Sequence, residues 1–181
     1  GRQPLYLIDG VPQSNPLRNG SRAAMTIDPF MIERVEVIHG ASAIQGMGAS
    51  GGIINIVTKQ AEQGTSHELN AGFMAPDSEL SEGLSYQAGY LVRHATGDWR
   101  FVGGIQYRDT GMYVDGNDML IGVDTTQGDT MDSKSYDVFA KLGYDIDEQQ
   151  SLEFMINRFD MSGNGDYYSV DGDRAEGIPT V

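Results

Sequence analysis

The residues best suited to hold a ligand lie in an Asp- and Gly-rich stretch late in the chain. Its first, third and fifth positions carry carboxylate, hydroxyl and amide oxygens, its sixth is Gly and its twelfth is an acid. This spacing is typical of a Ca²⁺-binding loop. However, the last acid is the short Asp171, and a predicted strand rather than a helix enters the loop. The alternative is a flexible loop without metal. The candidate ligands are Asp160, Ser162, Asn164, Asp166 and Asp171.

A second pattern, Gly46-Met-Gly48-Ala-Ser-Gly51, matches the GxGxxG string of dinucleotide sites. Such a site needs glycines that turn from a strand directly into a helix whose N-terminus faces the pyrophosphate. Here the β-branched run Ile53–Val57 follows and predicts a strand. No acid ends a second strand about twenty residues further on. We therefore interpret the string as a consequence of the high Gly content, 24 of 181 residues.

Other catalytic patterns are missing from the sequence. It contains three His, no Gly-x-Ser-x-Gly and no His-Glu-x-x-His. It also contains no Cys, which excludes disulfides and thiolate metal sites. We expect neither enzymatic activity nor a cofactor.

Charge divides the chain near residues 60–65. Residues 1–60 carry five basic and four acidic side chains, whereas residues 61–181 carry seven basic and 22 acidic ones. Binding to phosphate backbones needs clustered Lys and Arg, so no nucleic acid partner is expected. The shift predicts two regions with different surroundings.

Local signals in the first sixty residues predict short elements separated by turns. The apolar run that begins at Leu5 predicts a strand that closes in an Asp-Gly turn. Residues 27–34 fit one helical turn with Asp28 as N-cap and Pro29 as its first residue. Two β-branched runs, Val35–His39 and Ile53–Lys59, predict further strands.

Beyond residue 60, five segments of about ten residues alternate between apolar and polar side chains. A tilted strand of that length crosses a bilayer, although a soluble β-sandwich shows the same alternation. Short connections alternate with long polar ones, as in membrane β-barrels, except for the short first loop Pro76–Glu82. The predicted strands are His67–Ala75, Leu84–Arg93, Trp99–Arg108, Lys134–Asp145 and a segment around Leu152–Asn157.

Three blocks follow one another in the first part of the chain: Leu7-Ile-Asp9-Gly10-Val-Pro12, Ile32-Glu-Arg-Val-Glu-Val-Ile38-x-Gly40 and Gly48-x-x-Gly51-Gly52-Ile-Ile-Asn-Ile-Val-Thr-Lys59. Together they resemble the second half of the plug of a TonB-dependent outer-membrane receptor, over about residues 4–60. The chain starts without Met or a signal peptide and stops in a polar stretch, which predicts a piece of a longer protein.

The resemblance implies a mainly β fold in two parts. Residues 1–60 are expected to form the C-terminal half of a small α/β plug domain. Residues 61–181 are expected to form about five antiparallel strands of a large transmembrane β-barrel. Five strands cannot close such a barrel, so the barrel in this chain is incomplete.

The function implied by the resemblance is active import across the outer membrane of a Gram-negative bacterium. The block from Asp28 to Val37 looks most like siderophore receptors, which makes ferric siderophore the expected cargo. Cobalamin or carbohydrate import is the alternative within the family, and a soluble β-rich binding or adhesion domain is the alternative outside it. Further expected partners are TonB, through an N-terminal box absent from this chain, and outer-membrane lipid and lipopolysaccharide.

The resemblance also implies two groups of contact residues. His39 stands where the family often has Arg and is a weaker, pH-dependent partner. It is grouped with Arg34 and Glu36 as a predicted contact between plug and barrel. The alternative for His39 is a hydrogen-bonded histidine of a loop. Ordinary loop chemistry is the alternative for the cargo candidates, which are Asn15, Arg18, Asn19 and Arg22 in the apical plug loop and Tyr113, Tyr167 and Tyr168 in extracellular loops.

The loop Thr110–Ser133 is acidic and holds no Lys or Arg. It is either a solvated surface loop or a segment that tunes cargo entry or binds cations near lipopolysaccharide. Its acids are Asp115, Asp118, Asp124, Asp129 and Asp132.

Overall fold

The computed structural model describes residues 4–13, 26–39, 51–122, 130–166 and 176, and strands dominate this part of the chain. The predicted fold class, mainly β, is confirmed. None of the helices among the described residues combines the length and apolar character needed to cross a membrane. The strands are β1 (Leu5–Ile8), β2 (Val11–Pro12), β3 (Ile32–Ile38), β4 (Ile53–Thr58), β5 (Gly64–Met74), β6 (Ser85–Thr96), β7 (Trp99–Thr110), β8 (Ser133–Asp145) and β9 (Ser151–Gly163).

Strands β1 to β4 form a mixed four-stranded sheet in the order β2-β1-β4-β3. β1 and β4 pair in parallel, with Leu5 opposite Ile53 and Ile8 opposite Ile56. The two outer pairs, β1 with β2 and β3 with β4, are antiparallel. Because β1 and β4 run in the same direction, their C-terminal ends lie at the same edge of the sheet. Asp9, which follows β1, therefore lies near the last residue of β4.

The predicted Asp-Gly turn joins β1 to β2. Asp9 and Gly10 both adopt left-handed backbone angles, with φ of 47° and 79°. Ile8 pairs with Val11 across this turn. A two-residue hairpin needs positive φ at both central positions, which Asp and Gly tolerate at low cost. The turn aims the Asp9 side chain back toward β4, where its carboxylate accepts hydrogen bonds.

The predicted cap at Asp28 is present, but the helical segment is shorter than expected. The Asp28 carboxylate accepts the N–H of Phe30 at 2.8 Å, and the 3₁₀ turn covers only Pro29–Met31. β3 begins directly afterwards at Ile32, three residues before the predicted strand. Pairing of Ile32 with Thr58 of β4 explains the difference, because tertiary hydrogen bonds override a weak local helical preference.

Strands β5 to β9 form a second sheet in which each strand lies beside the next in sequence. All five predicted segments are strands, and β6 and β7 extend beyond the predicted ends by two or three residues at their C-termini. The turn at Gly97 (φ 55°) is tight, as predicted. Before β9, the Asp147 carboxylate accepts the N–H groups of Gln149 and Gln150, both at 2.8 Å. The sequence did not predict the four-residue helix α1 (Leu80–Gly83), which lies in the first connection.

The described residues fall into two compact units that both contain parts of the second sheet. The first unit comprises Gly1–His67, Leu91–Gly104 and Val138–Arg158, and the second comprises Glu68–Tyr90, Ile105–Asp137 and Phe159–Val181. In the first unit, a buried apolar cluster joins the two sheets. Its members are Ile8, Ile27, Phe30, Met31, Ile56, Leu91, Val102 and Phe139.

Gly104 of β7 shows how closely the sheets of the first unit approach each other. A Cβ atom at this position would lie 2.7 Å from Sδ of Met31 and 3.3 Å from Cδ1 of Leu91. Met31 is fully buried and lies in the 3₁₀ turn. The missing side chain of Gly104 therefore makes room for Met31 against the second sheet.

Candidate functional site

A buried charged cluster connects the two sheets of the first unit. Nζ of Lys141 lies 2.7 Å from Oγ1 of Thr58 and 3.3 Å from Oδ2 of Asp9. Thr58 in turn donates its hydroxyl to Asp9 Oδ2 at 2.6 Å and its N–H to Asp9 Oδ1 at 2.9 Å. The Lys141 and Asp9 side chains are only 3% and 12% exposed. Such a charged pair is stable in a dry environment only with its partners in place.

Each member of this Lys141–Asp9–Thr58 cluster is positioned by a different element. Asp9 lies in the left-handed turn after β1, and Thr58 is the last residue of β4. Lys141 belongs to the buried face of β8, two residues after buried Phe139. Because side chains alternate between the two faces of a strand, Lys141 lies on the same face of β8 as Phe139.

A second, more exposed chain of polar contacts begins at the other side of the turn. The N–H of Gly10 donates to Oδ1 of Asn55 at 3.0 Å, and Nδ2 of Asn55 donates to Glu36 at 2.9 Å. Glu36 also pairs with Arg34 at 2.8 Å. The Asn55 hydrogen bond, followed by the Arg34 guanidinium, holds the pKa of Glu36 below its usual value.

The predicted plug–barrel contacts Arg34, Glu36 and His39 lie on or just after β3. The ion pairs of Arg34 in the described part of the chain are to Glu33 and Glu36 of the same strand. His39 is exposed and follows the last residue of β3. Their role as contacts to a barrel wall stays a prediction.

Sequence reasoning missed the Lys141–Asp9–Thr58 cluster, although two signals for it were present. Asp9 is part of one of the quoted blocks, and Lys141 stands on the polar side of the β8 alternation. What the sequence did not reveal is that these two charges, 132 positions apart, face each other.

Most of the large apolar side chains of the second sheet are exposed. Along β8, Ser133, Ser135, Asp137, Phe139 and Lys141 are buried, and the residues between them are exposed or half-buried. On β5, Leu69 and Phe73 are 81% and 82% exposed. The other large apolar side chains exposed on these strands are Met74, Tyr86, Tyr90, Trp99, Phe101, Ile105, Tyr107, Tyr136, Val138, Leu142, Leu152, Phe154, Ile156 and Met161.

Each unit has an aromatic pair near the ends of its strands. Trp99 at the start of β7 contacts Tyr144 near the end of β8, with ring centroids 4.7 Å apart. In the second unit, Tyr86 and Tyr107 lie 6.1 Å apart, and both hydroxyls donate to Asp109. Aromatic rings with a polar tip are typical of the boundary between hydrocarbon and water.

The buried side of β7 is polar in the second unit. Gln106 is almost fully buried, and its Oε1 accepts from Asn70 at 3.4 Å. A Cβ at Gly89 would lie 1.7 Å from the same oxygen, so this glycine makes room for the amide. Together with the β8 serines, these amides give the buried face a hydrogen-bonding surface rather than an ordinary apolar core.

Most cargo candidates named from the sequence lie outside the described residues: Asn15, Arg18, Asn19, Arg22, Tyr167 and Tyr168. Tyr113 is described and exposed, and its carbonyl accepts the N–H of Ile121 at 2.8 Å. It borders a small hairpin in which Asp115 accepts the N–H groups of Asn117 and Met119. The backbone N–H groups of Met119 and Asn117 lower the pKa of Asp115.

The predicted Ca²⁺ loop is described only in part. Asp160 and Ser162 lie on β9, and Asp171 lies outside the described residues. Nδ2 of Asn164 donates to Asp132 at 2.7 Å, and the N–H of Asp166 donates to the same carboxylate at 3.3 Å. Within the described ranges, no group of three or more His, Asp or Glu side chains could hold a metal ion. The calcium site stays a prediction.

Comparisons with known proteins agree with this architecture. Residues 1–53 match the family described as TonB-dependent Receptor Plug Domain. The rhizobactin receptor of Rhizobium meliloti (strain 1021) is 39% identical over 170 residues, which cover 92% of this chain and 22% of that receptor. The ferric aerobactin receptor of Klebsiella pneumoniae is 34% identical over 170 residues, with 92% of this chain and 22% of the receptor covered. This chain thus spans about a fifth of the length of these curated relatives.

A solved structure supports the same assignment at the level of the fold. The siderophore receptor PirA from Pseudomonas aeruginosa superposes with a TM-score of 0.63 at 23% identity, covering 88% of this chain and 26% of that structure. The proteins in these matches are all named as receptors. The resemblance seen in the three sequence blocks is confirmed: residues 1–53 match the plug-domain family, and the chain is similar to siderophore receptors over most of its length.

Proposed function

We propose that this chain is part of an outer-membrane active transporter that imports a ferric siderophore into the periplasm. The observation that carries the proposal is the reversed polarity of the second sheet. Most of its large apolar side chains are exposed, while Ser133, Ser135, Asp137 and Lys141 of β8 are buried. Lys141 contacts Thr58 at the end of β4 and Asp9 after β1. Exposed apolar bands about one bilayer thick are stable against lipid and unstable against water.

In this proposal the chain divides at residue 60, as the sequence predicts. Residues 1–60 form the C-terminal half of the plug, and residues 61–181 form the first strands of a transmembrane barrel. Leu91, Val102 and Phe139 would then belong to the barrel wall that contacts the plug. The exposed faces of β5 to β9 would contact outer-membrane lipid, with lipopolysaccharide beyond the Tyr86 and Tyr107 end.

Transport in this proposal needs binding and movement rather than bond chemistry. Cargo docks on the apical plug loop and extracellular loops, and TonB pulls on an N-terminal segment from the periplasmic side. The plug then rearranges and a path opens beside the wall. No catalytic residue, nucleotide or cofactor is part of this cycle.

The cargo assignment rests on two supports of different kind. The rhizobactin and ferric aerobactin receptors are similar to this chain over nearly all of its length. Arg18 and Arg22, on the predicted apical loop, supply cationic donors for an anionic ferric complex. Asn15, Asn19, Tyr113, Tyr167 and Tyr168 complete the proposed cargo surface.

The test is uptake by cells that express the full-length protein containing this chain. Radiolabelled ferric aerobactin, ferric enterobactin and cobalamin are offered in turn to cells with and without TonB. Uptake of either iron complex only in cells with TonB supports the proposal. Uptake of cobalamin alone would keep the transporter and replace the cargo. If none enters, carbohydrates become the next cargo to test. Failure of the protein to reach the outer membrane would reject the transporter itself.

A further inference from the structure

We propose that Lys141 is a positioning residue of the transport cycle. Its ammonium holds the β1–β2 turn against β8, and this contact must break before the plug moves. This inference rests on the proposed function, because it assigns β8 to the wall and β1–β4 to the plug. Lys141 has no role in binding cargo in this inference. It sets how readily the plug leaves its place.

The hydrogen bonds of the cluster divide cleanly between plug and wall. Both bonds from Thr58 to Asp9, at 2.6 and 2.9 Å, lie within β1–β4 and its turn. The two contacts of Lys141, to Thr58 at 2.7 Å and Asp9 at 3.3 Å, are the links to β8. When Lys141 withdraws, the Asp9 carboxylate therefore keeps its Thr58 donors, and the turn stays intact.

The composition around Lys141 points to a reversible contact rather than a permanent one. Its neighbours in the contact between the sheets, Leu91, Val102 and Phe139, are apolar and buried. An apolar side chain at position 141 would leave the buried Asp9 carboxylate without its ammonium, and removing one partner of a buried pair is destabilising. An ammonium differs in one respect: water hydrates it well once a path opens. The contact of Lys141 with Asp9 and Thr58 is thus strong while water is excluded and weak once water enters.

The connection from this contact into the plug sheet is continuous. The turn that holds Asp9 is also tied through the N–H of Gly10 to Asn55, and from there to Glu36. Asp9 donates its own N–H to the carbonyl of Ile56 at 2.9 Å. A displacement of the turn is therefore transmitted to β4 and β3.

The experiment compares variants of the full-length receptor in cells with and without TonB. Lys141→Met removes the ammonium and Lys141→Arg keeps a cation. Asp145→Asn is the matched control, because Arg100 and Asp145 form an ion pair within the second sheet only. Three quantities are measured: cargo affinity at the cell surface, the maximal rate of TonB-dependent uptake, and entry of a glycopeptide antibiotic too large for ordinary porins.

We expect Lys141→Met to bind cargo with unchanged affinity. In cells without TonB it should admit about tenfold more antibiotic. A tenfold change corresponds to a loss of about 1.4 kcal/mol in the free energy that favours the closed plug over the displaced one. Lys141→Arg should restore at least half of the barrier, and Asp145→Asn should match the unsubstituted receptor. A merely structural role would lower the amount of protein in the membrane without changing antibiotic entry per molecule.

Three results would overturn the inference. They are unchanged antibiotic entry in Lys141→Met, loss of cargo affinity in that variant, and equal leakage in Asp145→Asn. If Lys141→Met does not assemble, the neutral pair Asp9→Asn with Lys141→Met removes both charges and decides in its place, with the same leak expected. Antibiotic entry without TonB is independent of cargo identity. A receptor that takes up no iron complex would therefore reject the proposed cargo and still leave the Lys141 contact tested.

Discussion

Strands β4 and β8 differ in the side chains that they bury. In β4, Ile53, Ile56 and Val57 are buried, and Asn55 is partly exposed. In β8, Asp137 and Lys141 are buried, and Val138 and Leu142 are exposed. One chain therefore holds a strand that buries mainly apolar side chains and a strand that also buries charged ones. The difference shows that burial must be interpreted relative to the solvent on each face, and not by the apolar content of a strand.

The largest expected effect concerns a residue on the buried face of β8. Phe139 is 1% exposed and packs in the apolar cluster shared with Met31 and Ile56. Phe139→Ala should lower the free energy of unfolding by about 3–5 kcal/mol, through lost burial and the cavity left behind. The measurement is urea unfolding of the full-length receptor in lipid vesicles. Phe73→Ala, at an exposed position of β5, is the control and should cost much less. Equal losses would contradict the assignment of faces.

The next effect tests the exposed side. Val138 is exposed on β8 between two buried residues, Asp137 and Phe139. Val138→Arg should cost about 2–4 kcal/mol in a bilayer, because the guanidinium would meet hydrocarbon. Leu80→Arg in helix α1, which lies in a connection, should be tolerated. The readout is the folded fraction after insertion into vesicles. A tolerated Val138→Arg would mean that this face meets water.

A smaller effect concerns the 3₁₀ turn that precedes β3. Asp28 caps the 3₁₀ turn by accepting the N–H of Phe30. Asp28→Ala should destabilise the receptor by about 1 kcal/mol, since the N–H would lose its acceptor. Asp28→Asn retains a capping oxygen and should recover most of the loss. Thermal unfolding of the purified receptor distinguishes the two. If the Asn variant is as unstable as the Ala variant, the carboxylate acts through its charge and not as a cap.

The smallest effect concerns pH. The pKa of Glu36 is lowered by Asn55 and Arg34, so the ionised form is favoured in the folded state. The stability gained from this shift is present above the ordinary Glu pKa and is lost as pH falls through the lowered value. Asn55→Ala should reduce the acid sensitivity of the receptor below about pH 4.5. Unfolding midpoints measured from pH 3 to pH 6 test this, with Glu36→Gln as a variant that cannot titrate. A slope unchanged in both variants would assign the acid response to other carboxylates.

Local signals predicted much of the fold because they act over a few residues. The period of two located β5 to β9, the positive φ demanded by a two-residue hairpin located the Asp9-Gly10 turn, and the Asp28-Pro29 pair located the 3₁₀ turn. The sequence blocks also predicted the resemblance to the plug-domain family, which residues 1–53 match. Less was predicted where pairing competes with local preference, as at Ile32, where β3 begins earlier because β4 lies beside it.

The sequence likewise predicted only part of the candidate site. The sequence by itself determined which residues are charged and on which side of a strand each one lies, including Lys141 on the polar side of β8. Only the tertiary structure decided that Lys141 meets Asp9 and Thr58, because those contacts join positions 132 and 83 residues apart. The parallel pairing of β1 with β4 brings Asp9 to Thr58, and the packing of the two sheets brings Lys141 to both. No periodicity within one segment encodes a partner so distant, since the free energy of the contact is realised only after the sheets have packed.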